Sequence, residues 1–152
     1  MKNFLEGTIG ISALLAILGL VFFASIPAYA GDVTLNMLNK RADGQKMVYS
    51  QDIVKVNVGD TVTWLPKSKG HNVHFIAVPD GIKKVKKSKL NKKYSYTFQA
   101  PGIYLYQCTP HKAMGMIGLI VVGNNIDNKN LIAKTKVFGK SKKKLKKMLK
   151  EL

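Results

Sequence analysis

Apolar and polar residues change their spacing twice along this chain. An apolar run occupies about Ile9 to Ile26. From Asp32 to Val122 apolar residues fall instead on alternate positions in short runs, the period of a half-buried strand. Val33, Leu35 and Met37 alternate with polar neighbours. Val54, Val56 and Val58 do the same and stop at Gly59-Asp60. Further strands are expected at Met47 to Ser50, Thr61 to Leu65, Asn72 to Val78, Tyr94 to Phe98, Gly102 to Gln107 and Met116 to Val122. Pro66, Pro79-Asp80-Gly81 and Pro101-Gly102 punctuate them. Some eight short strands at this spacing predict an all-β sandwich or barrel of antiparallel type, without internal repeats.

After Gly123-Asn124-Asn125 the period becomes helical. Asp127 is placed to cap a helix running to about Lys136, Phe138-Gly139 breaks it, and Ser141 is placed to cap a second helix to the end. Leu145, Met148, Leu149 and Leu152 fall at i, i+3, i+4 and i+7, one apolar stripe on a lysine-coated cylinder. The simplest use of that stripe is to pack on the sandwich. A basic amphipathic helix lying on a membrane is the alternative, but the stripe is narrow and lacks aromatics. The expected organisation is a leader over 1–30, a β-sandwich over 31–123 and a helical extension of the same domain over 124–152.

The first apolar run reads as an export signal. It follows Lys2 and ends at Ala28-Tyr29-Ala30, with the small residues at −3 and −1 that a signal peptidase needs, so cleavage would leave Gly31 first. An uncleaved anchor is the rival, because the run approaches the roughly 20 residues that span a bilayer. Gly10, Ser12, Gly19 and Ser25 dilute it, and the Ala-Tyr-Ala triplet favours removal. The expected location is therefore the periplasm, with no lasting membrane association. Removing Lys2 and Glu6 takes the basic residues from 25 to 24 and the acidic ones from 8 to 7, so the net charge stays at +17. Such a surface attracts anionic partners. An acidic protein fits best, since an exported chain seldom meets nucleic acid and no nucleic-acid-binding motif is present.

Chemistry concentrates in Cys108-Thr109-Pro110-His111-Lys112-Ala113-Met114-Gly115-Met116, which holds the only cysteine. Singly, a cysteine is most often a small buried hydrophobe, two methionines are core and a loop histidine is solvated. Here all three soft donors share one shaped turn between two strand-like runs. Thiolate, imidazole and thioether are the donors that copper prefers, and a His₂Cys site with a long axial Met is the pattern of a blue-copper centre. The remaining histidine has to be His71 or His74, the only others in the chain. An unpaired thiol in an oxidising compartment is a liability unless something holds it, and a metal would.

The chain resembles the pseudoazurins, bacterial periplasmic type 1 copper proteins of the cupredoxin fold, over essentially all of Gly31 to Leu152. The resemblance is carried by Met37-Leu38-Asn39-Lys40, Gly59-Asp60-Thr61-Val62, Lys69-Gly70-His71-Asn72-Val73, Pro79-Asp80-Gly81, Ala100-Pro101-Gly102 and the cysteine loop with its Met114-Gly115-Met116 ending. It implies a Greek-key sandwich with two C-terminal α-helices packed on it, and one copper held by His71, Cys108, His111 and Met116. It also implies that Asn72 ties two ligand loops together, that Thr109, Pro110 and Met114 lie beside the metal, and that the ring edge of His111 is an electron port. His74 stands where relatives often carry Glu, and the segment from His71 to Cys108 looks one residue shorter than usual. Strand parity also separates the two histidines. Residues three apart on a regular strand face opposite sides, and His71 follows Gly70 at the strand mouth, which leaves His74 at the surface.

A four-donor site without a vacant position suits single-electron transfer rather than catalysis. Pro110, Ala113, Met114, Gly115 and Ile117 are expected to form a flat patch around the port. Lys67, Lys69, Lys83, Lys84, Lys86, Lys87, Lys89 and Lys112 would flank it and steer acidic redox proteins, copper or haem oxidoreductases, onto a monomer. Three rival functions make different demands. A copper chaperone would want an exposed, exchangeable site. A copper enzyme would need a second metal site, which three histidines do not supply. A membrane-bound basic protein with an incidental thiol would bind no metal specifically.

Overall fold

The computed structural model describes residues 31–152. The expected leader over 1–30 lies outside the described residues. Eight strands run in chain order: β1 Asp32–Lys40, β2 Lys46–Tyr49, β3 Ile53–Val56, β4 Thr61–Pro66, β5 His74–Ala77, β6 Tyr94–Thr97, β7 Gly102–Gln107 and β8 Ile117–Val122. Two helices follow, α1 Lys129–Lys134 and α2 Lys140–Lys150. The strands form two four-stranded sheets, β2-β1-β4-β6 and β3-β8-β7-β5. The chain changes sheet at every connection from β2 to β7. Consecutive strands are then not neighbours, and two pairings, β1 with β4 and β3 with β8, are parallel. The sandwich is therefore mixed rather than purely antiparallel. Alternating hydrophobicity reports which face a residue takes but is blind to strand direction.

The inner core joins the two sheets through Leu35, Met37, Tyr49, Val62, Trp64, Phe75, Tyr104 and Tyr106. Tyr106 lies at its centre, with ring centroids 4.7 Å from Tyr49 and 5.2 Å from Trp64. Opposite Tyr106 on β8 stands Gly118. A Cβ there would collide with the tyrosine ring, so the large and small residues form one packing unit. The alternate residues of β7 and β8, Ile103, Leu105, Ile117, Leu119 and Val121, face outward into a second core closed by Ile132, Val137, Leu145, Met148 and Leu149. The apolar stripe of α2 is spent on the sandwich, with Leu152 partly buried at its edge. Each such buried aliphatic side chain contributes about 1.5–3 kcal/mol relative to exposure.

The helix starts differ from expectation. Asp127 caps nothing and accepts a hydrogen bond from Asn125. The residue before α1 is Asn128, whose side chain is drawn away to β7, where Oδ1 accepts from Ile103 N–H at 2.9 Å and Nδ2 donates to Ile103 C=O at 2.8 Å. Gly139, not Ser141, precedes α2, at φ 52° and ψ −130°, a conformation that only glycine adopts readily. A Cβ on Gly139 would also strike the carbonyl of Ala113. Ser141 is buried in the first turn and donates its hydroxyl to Lys112 C=O at 2.6 Å. Two links of tertiary structure have overridden the local capping pattern.

Candidate metal centre

The β7–β8 connection is the cysteine loop. Both flanking strands are buried along their whole length, so the loop rises from a fixed base. Cys108 N–H donates to Met116 C=O at 2.9 Å, closing the loop at its neck, and His111 N–H turns back to Cys108 C=O at 3.1 Å. From outside, α2 holds two loop carbonyls. Lys140 N–H donates to Ala113 C=O at 2.9 Å, alongside the Ser141 hydroxyl on Lys112.

His71 arrives from the connection between β4 and β5, which joins the two sheets. Gly70 N–H donates to the Asn91 side chain and Asn91 N–H to His71 C=O. The imidazole is oriented by Asn39 at the end of β1, whose Oδ1 lies 2.8 Å from His71 Nε2. That bond places the proton on Nε2 and leaves Nδ1 as a lone-pair donor. Asn72 spans both loops. Its Oδ1 accepts from Thr109 N–H at 2.8 Å, and its Nδ2 reaches Thr109 Oγ1 at 3.2 Å. Tyr49 Oη donates to Asn72 C=O at 2.8 Å from within the core.

The result is convergence. His71 Nδ1 lies 3.7 Å and His111 Nδ1 3.5 Å from Cys108 Sγ. One donor atom from each of the three residues falls within 4.8 Å of the others. Burial lowers the His71 pKa, with the nearby His111 charge second, and burial lowers that of His111. Both shifts favour the neutral ring, the form that can donate a ring nitrogen to a metal. Burial pushes the Cys108 thiol up, opposed by the backbone N–H groups of Asn72 and His111 pointing at the sulfur. Sulfur and two imidazole nitrogens, desolvated and aimed at one point, fit a soft-to-borderline metal such as copper.

The two methionines separate by burial. Met116 is fully buried in the same cluster as Cys108, whereas Met114 is 48% exposed. Pro110 and Ala113 are exposed beside Met114, and His111 is half-buried. Gly115 and Ile117 do not join that patch. Gly115 is buried next to Lys140, and Ile117 turns into the outer core. In their place Phe138 is exposed, with Lys112 Nζ 5.0 Å from its ring centroid. Lys67, Lys69, Lys83, Lys84, Lys86, Lys87 and Lys89 are exposed.

His74 is not a plain surface residue. It opens β5, where it pairs with Gln107, and is half-buried with Nδ1 unpartnered among the described residues. Burial first, then Lys87, Lys84 and Lys112, lower its pKa. Strand parity does not apply to the histidine pair, because His71 precedes the strand. Asn39 and Ser141 are the contributors that sequence reasoning missed. Asn39 lay in plain view within Met37-Leu38-Asn39-Lys40, but only the folded register brings it to His71.

The model of the copper-binding proteins of the plastocyanin/azurin family matches residues 35–123. Pseudoazurin of Paracoccus pantotrophus is 36% identical over 121 residues, 78% of this chain and 82% of the relative. The structure of a pseudoazurin from Sinorhizobium meliloti superposes with a TM-score of 0.75 at 40% identity, covering 79% of this chain and 94% of that one. Native pseudoazurin from Hyphomicrobium denitrificans also gives a TM-score of 0.75, at 32% identity over 80% of this chain and 98% of that one. Eight strands in two sheets, two C-terminal helices, a thiol flanked by two imidazoles and these relatives agree: the chain belongs to the plastocyanin/azurin family of copper-binding proteins and, within it, to the pseudoazurins, blue copper electron carriers.

Proposed function

We propose that this protein is a periplasmic single-electron carrier, not an enzyme, whose copper is held by His71, Cys108, His111 and Met116. We further propose that it exchanges electrons with acidic copper or haem oxidoreductases across the face around His111. The carrying observation is the convergence of His71 Nδ1 and His111 Nδ1 on Cys108 Sγ at 3.7 and 3.5 Å. When bound, copper supplies a one-electron couple for which this donor set suits both oxidation states. Asn39 orients His71, Asn72 locks the two loops together, and α2 holds the cysteine loop from outside, so the donors need not move. Four protein donors leave no position for a substrate. Export is supported by the Ala28-Tyr29-Ala30 triplet. Among the described residues no helix is long and apolar enough to cross a membrane.

Docking follows from charge. Exposed Pro110, Ala113 and Met114 surround half-buried His111, and the exposed lysines at 67, 69, 83, 84, 86 and 87, with Lys112, supply the steering field. A groove of about 1100 Å³ runs from Met114 and Gly115 between the Gly44–Lys46 turn and the lysines of α2, extending the positive surface away from the port. Stopped-flow oxidation of the reduced protein by an acidic redox partner over a salt series tests this reading. At about 0.15 M salt the screening length is roughly 8 Å, so association slows as salt rises while transfer within the complex stays constant. Lys112→Glu, beside the port, slows association more than Lys147→Glu on α2. A second-order rate that is flat or rising with salt rules out an acidic docking partner.

A further inference from the structure

Asp60 stands apart from every other acidic residue in the described chain. It is the one buried carboxylate among the described residues, 4% exposed, at the turn between β3 and β4. A buried carboxylate is costly unless a cation or several hydrogen bonds compensate it. No lysine, arginine or histidine among the described residues forms an ion pair with Asp60, although this surface carries a large excess of lysine. Two main-chain N–H groups occupy it instead. Asn57 N–H donates to Oδ2 at 2.7 Å and Gly31 N–H to Oδ1 at 2.6 Å. Thr61 N–H donates to Gly31 C=O at 3.2 Å, which fixes Gly31 at the head of the β1–β4 pairing.

Gly31 is also the residue that follows Ala28-Tyr29-Ala30. We propose that Asp60 is a receptor for the processed N-terminus: hydrolysis of the Ala30–Gly31 bond converts the Gly31 amide nitrogen into an ammonium, which then forms the ion pair that buried Asp60 lacks. The step consumes one water, with a leader peptidase as catalyst. The peptide C–N bond breaks, the oxygen goes to the Ala30 carboxylate, and the nitrogen leaves as –NH₃⁺ at Gly31. Neither β1 nor β4 needs to move, since the nitrogen already lies at hydrogen-bond distance from the carboxylate. The amide offered one donor and no charge; the ammonium offers three donors and a full positive charge. The folded domain thereby gains a stabilising contact only after export and trimming, and only if trimming falls at this bond. The proposal rests on the leader reading for its trigger, but the ion pair can be tested without it.

The experiment has two arms. In the first, the full-length chain is expressed with export and the purified protein is weighed by intact mass spectrometry. The expected mass corresponds to Gly31–Leu152; any other N-terminus refutes the trigger. In the second, the chain beginning at Gly31 is released from a tag by a site-specific protease. It is compared with a chain carrying one alanine before Gly31, which moves the ammonium by up to about 3.6 Å and returns the Gly31 nitrogen to an amide. Both are made with and without Asp60→Asn, and thermal midpoints are measured. The added alanine lowers the midpoint by about 1–5 °C when Asp60 is present and leaves it unchanged in the Asp60→Asn background. An extension that costs nothing with Asp60 present, or costs the same in both backgrounds, overturns the ion pair whatever the first arm returns. Asp60→Asn alone also weakens the Asn57 contact, so only the difference between backgrounds decides.

Discussion

The two sheets of this sandwich have four strands each and do different work. Sheet β2-β1-β4-β6 buries one face, and its other face carries an exposed ladder of small polar side chains, Thr61 with Thr97 and Thr63 with Ser95, each pair 2.8 Å apart. Sheet β3-β8-β7-β5 is covered on both sides, by the inner core and by the two helices. The donors of the cysteine loop rise from the doubly covered sheet. The singly covered sheet contributes Asn39, which orients His71 on the connection between the two. A hairpin with no solvated face has few ways to relax, which suits a loop that must present the same donors to two oxidation states of one metal.

The sharpest way to break this contrast is to remove volume from each sheet in turn. Leu119→Ala empties the outer core under α2 and costs about 2–5 kcal/mol. Thr63→Ala on the solvated ladder costs roughly 0.2–1 kcal/mol. Urea unfolding of the two variants measures the gap, and equal losses would mean that the helices add no support.

Acid probes the outer layer through its ion pairs. Asp52 lies 2.7 Å from Lys144 of α2 and 3.1 Å from Arg41, and its C=O accepts from Leu119 N–H at 2.9 Å. Burial pushes the Asp52 carboxyl up, but Lys144 and Arg41 outweigh it and hold the pKa below the ordinary value. A depressed folded pKa stabilises the fold above the unfolded carboxylate value of about 3.9 and is lost as pH falls through the folded one. Unfolding free energy therefore declines below about pH 4, and Asp52→Asn removes that part of the decline. An unchanged acid limb in this variant would assign acid sensitivity elsewhere. Burial meanwhile lowers the Lys144 pKa, so the pair positions α2 more than it stabilises it.

The remaining effect is the most local. Ser141→Ala deletes the hydroxyl that holds Lys112 C=O and leaves this part-buried carbonyl without that donor, costing about 1 kcal/mol. The visible spectrum of the copper-loaded variant then shows whether α2 merely shields the cysteine loop or also sets its shape. A displaced band with unfolding still two-state reports shape; an unmoved band reports shielding alone.

The same contrast explains what could be read from the chain. Cys108, His111, Met114 and Met116 share nine residues, so their spacing exposes the chemistry directly. The alternation of Leu35 with Met37 and of Val54 with Val56 likewise marked the inward faces of β1 and β3, because period two depends on the local backbone alone; β7 and β8, apolar at nearly every position, carry no such signal. His71 could be preferred to His74 only by resemblance and by a parity rule that the irregular segment before β5 does not obey. Asn39, Asp60 and Ser141 act through partners 32, 29 and 29 residues away. No local period encodes those contacts. Parallel pairing escaped for the same reason, since the direction of a neighbouring strand is decided by crossovers rather than by its own side chains.

The central claim is that Cys108 and His71, not His74, sit on the copper. It is tested most directly by visible absorption of the copper(II)-loaded protein and three variants. The intact chain binds one copper, is intensely coloured and bleaches reversibly on one-electron reduction. Cys108→Ser abolishes the sulfur-to-copper band, His71→Ala removes or grossly alters it, and His74→Ala leaves it nearly intact. A spectrum unchanged by Cys108→Ser, or colour lost with His74→Ala and kept with His71→Ala, would contradict the account.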